Sequence, residues 1–101
     1  MRAVLCTEFG PPEKLVIAEI PVPNPSRGQV RIKVEACGVN FPDTLIIENR
    51  YQYKPNLPFS PGGEVAGIID ALGDGVDDFS VGESVMAMTL FGGFSEYIVI
   101  D

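Results

Sequence analysis

In Ala36-Cys37-Gly38-Val39-Asn40-Phe41-Pro42-Asp43 an alternating strand stops, the chain turns, and a short helix begins with polar groups at its mouth. Just upstream, Val30, Ile32, Val34 and Ala36 alternate with Arg31, Lys33 and Glu35. That is the period-two pattern of a strand with one face on a core and a charged face in water. Gly38 relieves the steric limits of the strand exit, Asn40 is suited to cap backbone donors two or three residues on, and Pro42 fits a first helical turn because it lacks an amide hydrogen. The helical run predicted from this corner is Asp43 to Glu48. Leu45, Ile46 and Ile47 are too short an apolar set for a free amphipathic helix, so the run needs a sheet behind it. Asn40 and Asp43 are thereby presented together, and on spacing alone such polar residues read as caps.

Upstream, Arg2 to Cys6 and Lys14 to Ile20 read as strands separated by Thr7-Glu8-Phe9-Gly10-Pro11-Pro12, whose glycine and prolines end any regular element. Pro21, Pro23 and Pro25 stiffen the loop that follows, and Arg27-Gly28-Gln29 turns the chain back. Downstream, Asn49 to Gly63 sets Tyr51, Tyr53 and Phe59 among Pro55, Pro58 and Pro61, a rigid loop whose rings either pin it to the core or face a ligand. Val65 to Leu72, Ser84 to Thr89 and Phe94 to Ile100 complete six or seven short strands. With one short helix, they predict a mainly β barrel or sandwich rather than a βαβ sheet. The chain stops at Asp101, directly after the strand residue Ile100, so the expectation is the leading portion of a longer protein.

The 101 residues, 46% of them hydrophobic, suffice for one domain with a core. Fourteen acidic against seven basic residues give a net charge of -7 with no basic run, which argues against a nucleic-acid groove or an anionic membrane surface. The longest apolar stretches, such as Val65 to Ile69, fall far short of a membrane span, and no secretory apolar block follows Arg2. A cytoplasmic protein is expected. The chain has no histidine, so Ser-His-Asp and Cys-His arrangements and the commonest nitrogen ligand for zinc are excluded within it. Cys6 and Cys37 show no Cys-x-x-Cys spacing and read as buried thiols. Gly73-Asp74-Gly75 follows a strand, but Asp78 stands where a dinucleotide fingerprint needs its third glycine, and Asp74 and Asp77 add to a charge that would repel a pyrophosphate; it reads as a tight turn. Gly62-Gly63-Glu64-Val65-Ala66-Gly67 has the wrong glycine spacing and precedes a strand instead of opening a helix.

Three segments, in order, carry a resemblance: Cys37-Gly38-Val39-Asn40-Phe41-Pro42-Asp43, Pro61-Gly62-Gly63-Glu64-Val65-Ala66-Gly67, and Gly82-Glu83-Ser84-Val85 leading to Gly92-Gly93-Phe94-Ser95-Glu96-Tyr97. Together they resemble the medium-chain dehydrogenase/reductase superfamily, specifically its zinc-free quinone oxidoreductase branch. The opening, Met1-Arg2-Ala3-Val4 through Phe9-Gly10-Pro11-Pro12-Glu13, is similar to the start of many of its members. The resemblance spans the whole chain but only the amino-terminal part of the family. It implies a GroES-like, partly open barrel, an incomplete substrate-side catalytic domain over residues 1–101, truncated before the Rossmann domain, so that the nucleotide-binding domain is absent from this chain. Where the zinc alcohol dehydrogenases of the superfamily place a zinc-binding cysteine in the corner, this sequence has Asn40, and where they have the histidine of Gly-His-Glu, Gly63 precedes Glu64. Their four-cysteine lobe is also missing, since Met86-Ala87-Met88-Thr89-Leu90 runs almost directly into Phe91-Gly92-Gly93. An amide and a hydrogen atom do not replace thiolate and imidazole on a borderline-soft cation, so no zinc is expected.

The resemblance implies NADPH-dependent reduction of a quinone or an α,β-unsaturated carbonyl, with NADP(H) bound in the full-length parent. It implies as partners the small-molecule substrate, the Rossmann domain of the same parent chain and a second copy in a homodimer; the 101 residues alone are expected to be inactive. By the same resemblance Asn40, Asp43 and Tyr51 face the nicotinamide end of the cleft as cofactor-binding residues, and Asn40 and Tyr51 are also the catalytic candidates. Asn40 would hydrogen-bond the cofactor or the substrate oxygen, while Tyr51 would donate to that oxygen or wall the pocket with its ring. Asp43 is expected to orient its neighbours or the cofactor, because an ionised carboxylate has the wrong sign for stabilising an oxyanion. Glu64 reads as a structural residue at a strand start near the domain junction. Two alternatives remain open: an enoyl-thioester (acyl-CoA) reductase, whose distinguishing pocket rim lies mostly beyond residue 101, and a non-catalytic GroES-like binding or structural module.

Overall fold

The computed structural model describes residues 1–101. Six strands run in the order β1 (Arg2–Leu5), β2 (Val16–Glu19), β3 (Val30–Cys37), β4 (Glu64–Leu72), β5 (Ser84–Met88) and β6 (Tyr97–Ile100), with one helix, α1 (Phe41–Ile46), between β3 and β4. β1 and β2 form an antiparallel hairpin, and the other four make an antiparallel sheet ordered β5-β4-β3-β6. The two sheets do not close into a barrel. Isolated bridges, Ala3 to Ser95 and Cys6 to Phe59, tie the hairpin to the rest. This is the mainly β, partly open arrangement expected from the sequence.

The core divides in two. Across β6, β3 and β4, Ile98, Ile32 and Ile69 stand in register and are buried, with Val30 and Val65 beside them. Burying each isoleucine contributes about 1.5–3 kcal/mol, which is what holds β3 at the centre of the sheet. The second cluster, Cys6, Ile46, Ile47 and Phe59, fastens α1 and the loop after it onto β1. It provides the backing that so short a helix requires.

The pairing of β3 with β4 slips register twice. Between Arg31 and Ile32 the register skips Asp70 on β4, and the Asp70 carboxylate turns back to accept two hydrogen bonds from Arg31, at 2.8 and 3.2 Å. Between Val34 and Ala36 it skips Glu35 on β3. An extra residue reverses the side-chain phase. Val30 and Ile32 point inward as predicted, but Ala36 is exposed and Cys37 packs against the core instead. Other expectations shift at their ends. The helix begins at Phe41, directly after Asn40, and stops at Ile46, two residues earlier at both ends than the predicted Asp43 to Glu48. Lys14 belongs to a short 3-10 turn over Pro12–Lys14, so β2 starts at Val16. Phe94 to Glu96 precede β6 and hydrogen-bond to β1 and β3, with Val4 N–H donating to Phe94 O at 2.8 Å and Val34 N–H to Glu96 O at 2.9 Å.

Candidate functional site

At the mouth of α1 the two ends of the corner grip each other. Asn40 takes the N-cap position in an extended conformation, and the Asp43 carboxylate reaches back to accept the Asn40 backbone N–H at 2.8 Å. The Asp43 N–H in turn donates to the Asn40 carbonyl at 3.1 Å. A carboxylate in the first helical turn also meets the positive end of the peptide dipoles. Asp43 is the one buried charged residue of the chain, 8% exposed, and so acts first as a clamp on the Asn40 backbone.

The clamp leaves the Asn40 side chain, in an exposed residue, at the edge of a hollow of about 330 Å³. Asp43 and Ile46 of α1, Tyr51 of the following loop, Gly63 and Glu64 at the start of β4, and Met88, Thr89 and Leu90 at the end of β5 also line it. Asn40 and Asp43 at the corner and Tyr51 of the later loop thus share one cavity, and positions 40 and 63 face the same space. Tyr51 is half-buried and packs against the Cys6, Ile46, Ile47 and Phe59 cluster, so the two readings of its loop hold together: the ring is pinned and it walls the hollow. Phe59 is core, and Tyr53 stacks on Phe91 with ring centroids 5.5 Å apart.

The floor is a backbone seam. Thr89 N–H donates to Gly63 O at 2.8 Å, and a Cβ added at Gly63 would stand 2.6 Å from Thr89 O. No group of three or more His, Cys, Asp or Glu side chains is placed to hold a metal ion. The hollow carries two carboxylates and no cation, so it offers a phosphate no opposite charge. Near Gly62 and Gly93, burial pushes the Cys37 thiol above its ordinary range; a hydrogen bond with the Glu64 backbone opposes this, and the Asp43 and Glu64 charges add to it. A larger neighbouring hollow of about 470 Å³, on Ala36, Ala66, Met86 and Ala87, is almost wholly apolar and shares Glu64 and Met88 with the first. The smaller one is the better candidate because its polar groups converge.

Sequence reasoning missed Met88, Thr89 and Leu90 as lining residues. The available signal was Met86 and Met88 two apart on β5, now both exposed on one face. Glu64 does begin β4 as expected, but it also borders both hollows.

Residues 26–101 match the alcohol dehydrogenase GroES-like domain, and the chain belongs to that family, as an amino-terminal part of the medium-chain dehydrogenase/reductase superfamily. Among similar proteins, the quinone oxidoreductase of Rattus norvegicus is 48% identical over 99 residues, 96% of this chain and 30% of that protein. The solved structure of the human synaptic vesicle membrane protein VAT-1 homolog-like protein superposes with a TM-score of 0.94 at 36% identity, covering 99% of this chain and 32% of that one. The Escherichia coli quinone oxidoreductase, solved in complex with NADPH, gives a TM-score of 0.92 at 31% identity, covering 99% of this chain and 31% of that one. The chain therefore spans about 30% of the length of such relatives. No helix is long and apolar enough to cross a membrane.

Proposed function

We propose that this chain is the substrate-side domain of a zinc-independent, NADPH-dependent reductase of quinones or α,β-unsaturated carbonyls, completed in the full-length protein by a Rossmann domain and acting in the cytoplasm as a homodimer. The observation that carries the reading is the convergence of Asn40, Asp43, Tyr51 and Gly63 on one hollow. The likeness to quinone oxidoreductases supports it. Bound NADPH would supply the hydride. The residues of this chain supply position and polarity: Asn40 offers a carboxamide, Tyr51 a hydroxyl on a pinned ring, and Asp43 fixes the backbone from which Asn40 projects. Charge developing on a substrate oxygen is met by the Tyr51 hydroxyl and kept from the Asp43 carboxylate, which is committed to the Asn40 amide.

Independence from zinc is supported by the Thr89 carbonyl, which occupies the space that a side chain at position 63 would need. Without a bound cation, polarisation of the substrate falls to these hydrogen-bonding groups. In the full-length protein, NADPH oxidation should require an added quinone or enone. Tyr51→Phe and Asn40→Ala should each lower kcat/KM about tenfold, the worth of one hydrogen bond of about 1–1.5 kcal/mol, and depress turnover more than folding stability. Full activity in both variants would refute the assignment. Turnover of acyl-CoA enoyl thioesters in preference to quinones would move the substrate to the thioester class.

A further inference from the structure

We propose that Glu64 is a positioning residue for Asn40, turning its carboxamide so that Nδ2 faces Glu64 and Oδ1 is offered to the cleft; the inference rests on the reading of the hollow as a nicotinamide site. The observation is a convergence at Gly38. A Cβ built there would collide with Glu64 Oε1 and lie 3.3 Å from Asn40 Nδ2, so both side-chain ends border the space above the one residue that leaves it open. Gly38 is itself fixed, because its N–H donates to the Glu64 carbonyl at 2.9 Å, and this ties the end of β3 to the start of β4. On the other side, the Asp43 clamp holds the Asn40 backbone. With its backbone held, the Asn40 side chain still chooses which end of the amide faces the ligand.

Chemistry settles that choice. A carboxylate accepts and never donates, so Glu64 draws the NH₂ end of the amide. Oδ1 then faces the hollow as an acceptor, and its ligand partner must be a donor. A nicotinamide carboxamide NH₂ meets this requirement, whereas a quinone carbonyl does not. The inference therefore divides the work: Asn40 serves the cofactor and Tyr51 the substrate oxygen. It also gives Glu64, at the border of both hollows, a role beyond opening β4.

The test is equilibrium binding to the full-length protein of NADPH and of its 3-acetylpyridine analogue, which replaces the carboxamide NH₂ by a methyl group. Wild type should bind NADPH about tenfold more tightly than the analogue. Glu64→Ala, which releases the amide to rotate and donate to the acetyl oxygen, should reduce that preference to about twofold or less, while Glu64→Gln, which retains an acceptor oxygen, should largely preserve it. An undiminished preference in Glu64→Ala, or equal loss in the Gln variant, overturns the positioning role. Failure of wild type to bind NADPH at all would instead sink the functional reading beneath it. A purely structural Glu64 would lower the unfolding midpoint without changing the ratio of the two affinities.

Discussion

Placing a methyl group at position 63 tests the seam on which the cleft is built. In Gly63→Ala the new Cβ would stand 2.6 Å from the Thr89 carbonyl oxygen, where ordinary contact begins at 3.4 Å, so β4 and the end of β5 must part by about 0.8 Å. Backbone on both sides leaves no flexible side chain to yield. Parting stretches the hydrogen bond from Thr89 N–H to Gly63 O, now 2.8 Å. Loss of that bond costs about 0.5–1.5 kcal/mol and the remaining overlap about 1–3 kcal/mol, a total of about 1.5–4.5 kcal/mol. Urea unfolding of the full-length protein, followed by circular dichroism, should show the midpoint falling by about 1 M at an unchanged slope. A histidine needs the same space and more, so the pair Asn40→Cys with Gly63→His should gain no stoichiometric zinc by metal analysis. An alanine variant as stable as wild type would show that the seam opens freely, and the steric argument against an imidazole at this position would fall.

Asp43→Ala should destabilise by about 1–2 kcal/mol, because it leaves the Asn40 N–H without its acceptor, whereas Asp43→Asn should retain more than half of that stability in a denaturant titration. Arg31 and Asp70 are joined by two hydrogen bonds, yet both side chains are partly open to solvent, so a double-mutant cycle with Arg31→Met and Asp70→Asn should give a coupling of only about 1 kcal/mol. For Cys37 the folded-state value is raised, so its contribution to stability is fully present below the ordinary thiol range and is lost as pH rises through that value. Between pH 8 and pH 10 the protein should therefore lose more stability than a Cys37→Ser variant does; equal losses would contradict the shift.

The corner was legible because three local rules agreed over a few residues: alternation before it, a capping residue within it and a proline just inside the helix. The hairpin and the four-stranded sheet were legible as strands, since β-branched runs bounded by glycine and proline need no knowledge of partners. The skipped residues were not. Glu35 is charged and fits the outward position of a regular strand, so its loop out of register shows only once β4 lies alongside. The cleft divides the same way. Asn40 and Asp43 are neighbours in sequence, while their meeting with Gly63 and Thr89 depends on the pairing of β4 with the segment after β5, a contact that no periodicity encodes. Tyr51 stood between two readings because a ring that anchors a loop with one face has another face to offer.

The unpaired Glu35 works as a phase coupling between the two ends of β3. Ahead of it the strand is indexed to the isoleucine row; beyond it the side chains are rotated by half a cycle, which turns Cys37 onto the core and sends the chain out toward Asn40. Excision of that single residue would leave every cleft-lining side chain in the sequence yet aim the corner at the opposite face, so the aperture owes its direction to a residue that touches none of its contents.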